Sequence, residues 1–206
     1  MIGIIDYGMG NLRSVQKALE LLGEEAVITS DFETLLNCGG IILPGVGAFP
    51  DAIDNIRSKN LDKAIKAAIE KNKPLLGICL GMQLLFDEGD EIKICKGLGI
   101  LKGKITRIQA DVKIPHMGWN NLEILKPCSI LNGVKDSSYA YFVHSYLVVD
   151  MDREDLNAVA EYGTEIPAVV SRGNVYGTQF HPEKSGELGM KILENFIKLA
   201  NQCERR

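Results

Sequence analysis

The chain has 206 residues, 46% of them hydrophobic and 24% charged, with a formal net charge of −4. This composition is typical of a soluble globular protein and predicts one domain over residues 1–206. The acidic balance, with no block of like charges, argues against a nucleic-acid-binding face or an attachment to anionic membranes. No apolar stretch approaches the roughly 18 residues that span a bilayer, and no basic leader precedes the first apolar run, so we expect a cytoplasmic protein.

The cysteines are odd in number and widely spaced, with no C-x-x-C pair. They are Cys38, Cys79, Cys95, Cys128 and Cys203. This spacing indicates neither a disulfide framework nor a zinc site, so we expect reduced thiols, no metal and no cofactor.

Strand-like and helix-like segments alternate through the first half of the chain. Strands are predicted for MIGIID, EEAVITS, GGIILPG and PLLGICLG. The intervening helices are NLRSVQKALELLG, capped by Asn11, then SDFETLL with a capping box from Ser30 to Glu33, then LDKAIKAAIEKN, and finally LGMQLLFDEG after the fourth strand. This alternation predicts an α/β fold with a mostly parallel sheet and helices on both faces.

From about residue 104 the segments become shorter and turns separate them. The segments KITRI, YAYFVHSYLVV, NAVAEYG, AVVSRG and NVYGTQF predict strands in hairpins, which would form an added antiparallel portion. The chain closes with a helix, SGELGMKILENFIKLANQ, for which Ser185 is the expected cap.

The stretch GICLGMQ contains the strongest chemical signal. Gly77 and Gly81 lie two residues either side of Cys79, an apolar strand precedes them, and a helical pattern follows. This is the spacing of a nucleophile elbow, in which a Cβ at either glycine would clash with the neighbouring backbone. The backbone N–H of Leu80 would then face the position where an oxyanion forms.

A cysteine nucleophile needs a base and a group that orients the base. His181 ends an apolar strand that Pro182 stops, and Glu183 is close enough to accept a hydrogen bond from the ring. His144 lies inside an apolar strand, where a structural role is as good an interpretation as a functional one. The role of His116 stays open.

Together, GICLGMQ and GTQFHPEKS resemble the class I (triad) glutamine amidotransferases. The resemblance implies a flavodoxin-like α/β sheet with an added antiparallel portion. It also implies that Cys79 attacks the side-chain amide of glutamine, that His181 shuttles protons and that Glu183 holds the imidazole.

The same resemblance suggests further site residues. The PGVG loop matches the family's oxyanion strand, so the N–H of Val46 or Gly47 would join that of Leu80. Gln83, Ser145 and Tyr146, with Gly47, match positions that contact the substrate glutamine.

The segments IIDYGMGNLRSV, LPGVGAF, PHMGWN and FVHSY resemble one branch of the family most closely. Its members pass ammonia to a separate (β/α)₈ cyclase subunit, which makes imidazole glycerol phosphate in histidine biosynthesis. Trp119 falls in a predicted loop, and tryptophan is enriched at interface anchors. The hypothesis is that Trp119, Asn11 and Lys184 face the cyclase.

Three alternatives stay open at the level of sequence. One is an amidotransferase serving anthranilate, aminodeoxychorismate or a nucleotide, although DYGMGN and PHMGWN are not part of the catalytic set those relatives share. Another is a free-standing thiol hydrolase or γ-glutamyl peptidase. The third is a subunit that binds its partner without catalysis.

Overall fold

The computed structural model describes residues 1–204 and consists of one large sheet, two small sheets and the helices that cover them. The strands, numbered in chain order, are β1 (Ile2–Ile5), β2 (Ala26–Thr29), β3 (Gly40–Gly45), β4 (Leu75–Cys79), β5 (Glu88–Gly89), β6 (Cys95–Lys96), β7 (Lys104–Arg107), β8 (His116–Asn121), β9 (Glu123–Ile124), β10 (Tyr139–His144), β11 (Tyr146–Val149), β12 (Leu156–Glu161), β13 (Glu165–Arg172) and β14 (Val175–Thr178).

The helices are mostly short and lie between the strands of the first half or at the end of the chain. They are α1 (Leu12–Leu21), α2 (Phe32–Asn37), α3 (Phe49–Ser58), α4 (Leu61–Glu70), α5 (Leu80–Gln83) and α6 (Gly186–Glu204), with 3₁₀ turns at Ser129–Leu131, Arg153–Asp155 and Pro182–Lys184.

The large sheet has the strand order β2-β1-β3-β4-β14-β13-β12-β9. The five strands from β2 to β14 are parallel, and β13, β12 and β9 continue the sheet antiparallel. The predicted mostly parallel sheet with an antiparallel portion is therefore confirmed. Because β4 lies between β3 and β14, the carboxyl ends of three parallel strands meet around Cys79.

Different helices cover the two faces of the sheet. Successive side chains of a strand point to opposite faces, so neighbouring residues pack against different helices. Ile4 packs on the side that holds α1 and α6. Its neighbour Ile5 packs on the side that holds α2, α3 and α4. Burial of both faces explains why the central strands are nearly continuous apolar runs.

The small sheets lie beside the carboxyl-terminal edge of the parallel strands. One pairs β8 with β10, and the other has the order β11-β7-β5-β6. The segment YAYFVHSYLVV is thus not one strand: it breaks at Ser145, and its halves join different sheets. Trp119 lies in β8 and not in the loop that the sequence predicts.

Several local predictions are wrong. The cap of α2 is Asp31, which accepts a hydrogen bond from the backbone N–H of Thr34 at 2.8 Å, so the Ser30 capping box does not form. The helix after Cys79 ends at Gln83, because the chain then turns into β5. Helix α3 has no counterpart in the prediction.

The side chains of two residues predicted to cap helices make other hydrogen bonds. Asn11 precedes α1, but its side chain accepts a hydrogen bond from the Ser14 hydroxyl and caps no backbone N–H. The Ser185 hydroxyl precedes α6, donates to the His181 carbonyl at 2.6 Å and accepts from the Tyr141 N–H at 2.9 Å. Ser185 therefore ties β10 to the segment that carries His181.

Within residues 1–204, the helices are all too short or too polar to cross a membrane.

Candidate active site

Cys79 occupies a sharp turn between β4 and α5. Its backbone has φ +55° and ψ −113°, a conformation that non-glycine residues rarely adopt. A Cβ on Gly81 would lie 1.8 Å from the Leu43 carbonyl oxygen, and a Cβ on Gly77 would lie 2.7 Å from the Gly81 carbonyl oxygen. Both flanking positions therefore require glycine, which is the geometry of a nucleophile elbow.

The Cys79 thiol is largely buried and lines a cavity. Its side chain is 6% exposed. Sγ lies 3.8 Å from the Val143 carbonyl oxygen and 3.8 Å from Nε2 of Gln179. The sulfur is thus accessible to a small ligand while strand β10 and an amide fix its position.

His181 lies at the same cavity, oriented by Glu183. The ring donates from Nδ1 to Oε1 of Glu183 at 2.8 Å, and both side chains are almost completely buried. His181 Nε2 and Glu183 Oε2 have no hydrogen-bond partner among residues 1–204. The Nδ1–H bond leaves Nε2 as the ring atom that can take a proton.

The electrostatics of this pair favour a charged imidazole. Burial by itself disfavours the charge, but the Cys79 sulfur and the Glu183 carboxylate outweigh it and raise the pKa of His181 to about 9. A ring that holds a proton this firmly can accept the proton of a neighbouring thiol and deliver it to a leaving group.

The raised pKa predicts a specific dependence of stability on pH. A raised folded-state pKa contributes stability that is full below pH 6.5, the unfolded value, and is lost as the pH rises through about 9. Glu183→Gln keeps a hydrogen-bond acceptor but removes the charge, so the decline in unfolding free energy over this window should be shallower. Urea denaturation of both proteins at a series of pH values measures it, and identical slopes would contradict the prediction.

The cavity has a volume of about 360 Å³. It brings together Cys79 and His181 with the residues that the sequence predicts for oxyanion and substrate binding, which are Val46, Gly47, Leu80, Gln83, Ser145 and Tyr146. Glu183 lies behind His181 and is not in the lining. Segments that are far apart in sequence therefore meet at one edge of the sheet, as expected for the carboxyl ends of parallel strands.

The PGVG loop packs against the DYGMGN segment. The Tyr7 hydroxyl donates to the Pro44 carbonyl at 3.0 Å, and burial raises the pKa of Tyr7. Gly47 has φ +105°, and a Cβ there would lie 2.5 Å from Cε of Met9. The loop that precedes α3 thus packs directly on the DYGMGN segment.

The cavity also contains residues that the sequence analysis missed. Glu91 lines it, and one of its carboxylate oxygens accepts the backbone N–H of Phe49 at 2.8 Å. Val143 and Pro115 line it as well, together with His144, for which the sequence left a functional role open. Glu91 follows the strand β5, which is only two residues long and therefore has no recognisable sequence pattern.

Two of the predicted contact residues for a partner, Trp119 and Lys184, lie on one outer surface together with Met117, Tyr139 and Tyr141, and we call these five residues the Trp119 face. The side chains of Met117, Trp119 and Tyr139 are 62%, 57% and 61% exposed. Trp119 meets the Tyr141 ring edge to face, with centroids 6.0 Å apart, and Nζ of Lys184 lies 5.9 Å from the centre of the same ring.

Asn11 lies outside this cluster, at the start of α1. That helix contacts the 3₁₀ turn Pro182–Lys184, which places Asn11 on the neighbouring part of the surface.

A cysteine on an elbow beside a buried histidine–carboxylate pair defines an α/β protein suited to thiol-dependent acyl chemistry. Residues 3–199 match the family described as Glutamine amidotransferase class-I. The chain belongs to the class I glutamine amidotransferases and is a glutamine amidotransferase enzyme.

The similar sequences carry a more specific description. A protein from Bacillus cereus described as imidazole glycerol phosphate synthase subunit HisH is 52% identical over 196 residues, which cover 95% of this chain and 93% of that protein. A protein of the same description from Bacillus thuringiensis is 50% identical with the same coverage.

Solved structures share the fold at low sequence identity. A crystal structure of a glutamine amidotransferase superposes with a TM-score of 0.77 and 23% identity, covering 97% of this chain and 98% of that one. A structure of PurLQS from Thermotoga maritima gives a TM-score of 0.75 and 22% identity, covering 96% and 97%.

Proposed function

We propose that the chain is the glutaminase subunit of an imidazole glycerol phosphate synthase. It hydrolyses glutamine to glutamate and ammonia and passes the ammonia to a separate (β/α)₈ cyclase subunit in histidine biosynthesis. The observation that carries this proposal is the meeting of the elbow sulfur with the His181–Glu183 pair at one cavity. The identity of 52% over nearly the whole chain supports the assignment to this synthase.

The proposed reaction proceeds through a thioester. The Cys79 proton passes to Nε2 of His181, and Sγ attacks the side-chain carbonyl carbon of glutamine. The oxyanion accepts hydrogen bonds from the N–H of Leu80 and from that of Val46 or Gly47. His181 then protonates the leaving amine, and ammonia departs.

Water completes the cycle. It gives a proton to His181 and attacks the thioester carbon, which releases glutamate and returns the proton to Cys79. Glu183 keeps the imidazole in the Nδ1–H tautomer throughout, through the 2.8 Å hydrogen bond.

The charges of the cavity fit an amino acid ligand. The Glu91 carboxylate is a suitable partner for the α-ammonium group of glutamine, and the polar groups of Ser145, Tyr146 and Gln83 line the same wall. Gly47, with no side chain, leaves room for the substrate beside the oxyanion site. These assignments give the α-ammonium group of glutamine an acidic partner and place polar groups beside the rest of the substrate.

Release of ammonia explains why a partner is required. In water at neutral pH most ammonia becomes ammonium, which is not a nucleophile, so a second active site must receive the neutral form. The Trp119 face supplies aromatic side chains and a lysine of the kind found at interface anchors. We place the cyclase on this face, with Asn11 at its margin. The cytoplasmic location stays a prediction of the sequence.

Mixing the protein with a cyclase subunit of this synthase tests the proposal. We expect weak glutaminase activity for the chain alone and an increase of about tenfold or more when the cyclase and its ribotide ligand are present. Glutamine should then support formation of imidazole glycerol phosphate. Full activity without the cyclase would instead favour a free-standing thiol hydrolase.

Trp119→Ala should weaken the complex without unfolding the chain. Because Trp119 is 57% exposed in the isolated protein, its removal costs little stability. Loss of an aromatic anchor costs about 2 kcal/mol of binding, so the dissociation constant should rise about 30-fold, as measured by calorimetric titration with the cyclase.

Leu21→Ala is the matched control for this measurement. Leu21 is 81% exposed but lies at the carboxyl end of α1, toward the opposite edge of the sheet, because α1 runs back along β1. An unchanged dissociation constant for Trp119→Ala, or an equal effect of Leu21→Ala, would remove the Trp119 face from the interface.

A further inference from the structure

A chain of hydrogen bonds, the central one of which is buried, joins the strand of Trp119 to the candidate active site. Nδ2 of Asn120 lies 3.2 Å from Nε2 of His116, Nδ1 of His116 lies 2.9 Å from Nε2 of His144, and Nδ1 of His144 lies 2.9 Å from the Tyr146 carbonyl oxygen. The chain therefore crosses from β8 through β10 to the wall of the cavity.

The groups at the two ends of this hydrogen-bond chain determine which atom donates and which accepts in every bond. The Tyr146 carbonyl can only accept, so His144 carries a proton on Nδ1, and the Asn120 amide nitrogen can only donate, so Nε2 of His116 is an unprotonated acceptor. His116 must then donate from Nδ1 and accept at Nε2. Both rings are consequently neutral, with the proton on the same nitrogen.

Asn120 fixes the other end. Its Nδ2 also donates to the Glu161 carbonyl at 2.9 Å, and its Oδ1 accepts the Asn121 N–H at 2.9 Å. The amide cannot turn over without losing both backbone contacts. It therefore always presents a donor to His116, which prevents that ring from accepting a proton shared with His144.

The His116 ring is enclosed by other aromatic rings, whereas the His144 ring lies at the cavity. The His116 ring is stacked between those of Phe142 and Tyr162, with centroids 4.6 and 4.0 Å away, and it is 2% exposed. His144 is 6% exposed and lines the cavity beside His181. Burial lowers the pKa of each ring of the pair to about 4, in agreement with neutral rings.

At its Tyr146 end, the hydrogen-bond chain continues through two glutamine side chains to the Cys79 thiol. Gln83 Nε2 donates to the same Tyr146 carbonyl and to Oε1 of Gln179, each at 2.9 Å, and Nε2 of Gln179 approaches Sγ of Cys79 at 3.8 Å. The histidine pair and the amide of Gln83 therefore share one acceptor, the Tyr146 carbonyl oxygen.

We propose that His116 and Asn120 are positioning residues for the glutaminase reaction, since they lock His144 as a neutral ring that donates to the Tyr146 carbonyl. His181 is then the imidazole that takes up the Cys79 proton, because no second positive charge faces it. This inference rests on the proposed function.

A charge on His144 would act directly against this reaction. His181 must become positively charged when it accepts the Cys79 proton, and a neighbouring imidazolium opposes that step. The ionisable groups that face the pair from the surrounding elements are Tyr162, Tyr146 and His181, with Cys79 and Glu91 in the shared cavity.

Two variants that break the chain test the proposal. His116→Phe keeps the aromatic stack but removes the donor to His144, and Asn120→Leu frees His116 to change tautomer. In each, His144 can add a proton at Nε2. For the complex with its cyclase, the acid limb of kcat/KM for glutamine should move upward by about one pH unit or more.

Phe142→Leu is the matched control, because it disturbs the packing of the same ring without removing a hydrogen bond. It should lower the melting temperature and leave the acid limb in place. Active variants with the wild-type pH profile, or an equal displacement for Phe142→Leu, would overturn the proposal.

Nitrogen NMR of the wild-type chain provides a test that does not depend on the folding of any variant. At pH 7 both rings should show protonated Nδ1 and unprotonated Nε2. A different tautomer or a charged ring would overturn the inference. A wild-type complex that does not hydrolyse glutamine would overturn the proposed function, whereas an active one with unmoved profiles would overturn the inference alone.

Discussion

Cys79→Ala should reduce glutamine-dependent synthesis by more than about 10⁴-fold, because no thioester can form without the sulfur. Synthesis from added ammonium salt should survive, since the cyclase site and the contact between the subunits are untouched. The measurement is the initial rate of imidazole glycerol phosphate formation by the complex with each nitrogen source.

The two nitrogen sources separate a chemical role of Cys79 from a structural one. Cys203→Ala is the matched control, because its thiol lies on α6, outside the candidate active site, and should be dispensable for both reactions. Loss of both activities in Cys79→Ala would mean that the residue supports the fold or the interface.

Gly81→Ala should destabilise the protein by more than about 4 kcal/mol, which lowers the melting temperature by about 8–16 °C in a chain of this size. The new Cβ would lie 1.8 Å from the Leu43 carbonyl oxygen, a backbone atom of β3 that no side-chain rotation can move. Strands β3 and β4 would have to separate at the elbow. Thermal and urea unfolding measure the loss.

Gly3→Ala is the control for this prediction, because Gly3 is also a buried glycine of the central sheet. Its Cβ would lie 3.0 Å from Cδ2 of Leu35 and 3.1 Å from Sγ of Cys38, which are side-chain atoms that can shift. Its cost should be about 1–3 kcal/mol. A loss for Gly81→Ala no larger than that for Gly3→Ala would contradict the elbow constraint.

Much of the parallel half of the fold could be predicted because its signals are local. Strand β3 appears as a continuous apolar run and α1 as a 3.6-residue repeat, and each reports burial by its neighbours in sequence. The elbow was also predictable, since the glycines at 77 and 81 reflect a steric conflict within a few residues. Helix α3 was missed because it begins directly after a glycine-rich loop with Pro50 in its first turn.

The antiparallel strands β12, β13 and β14 were also predictable, because they pair with their neighbours in sequence. The partners of β10 and β11 were not, because they are distant in sequence. Nothing near Ser145 indicates that β10 and β11 join different sheets, although this break is what turns residues 145 and 146 toward the cavity. The hydrogen bond between His116 and His144 depends on the pairing of β8 with β10, which brings residues 28 positions apart into register.

The sequence by itself indicated Cys79 as the candidate nucleophile, His181 and Glu183 as its candidate partners, and the alternation that makes the central sheet parallel. These features are set by sterics and hydrogen bonding within short segments. Only the tertiary structure decided that Glu91 and His144 share the cavity, that Tyr7 holds the PGVG loop and that the Trp119 face is exposed. Such contacts arise when separate segments pack together, so no local pattern encodes them.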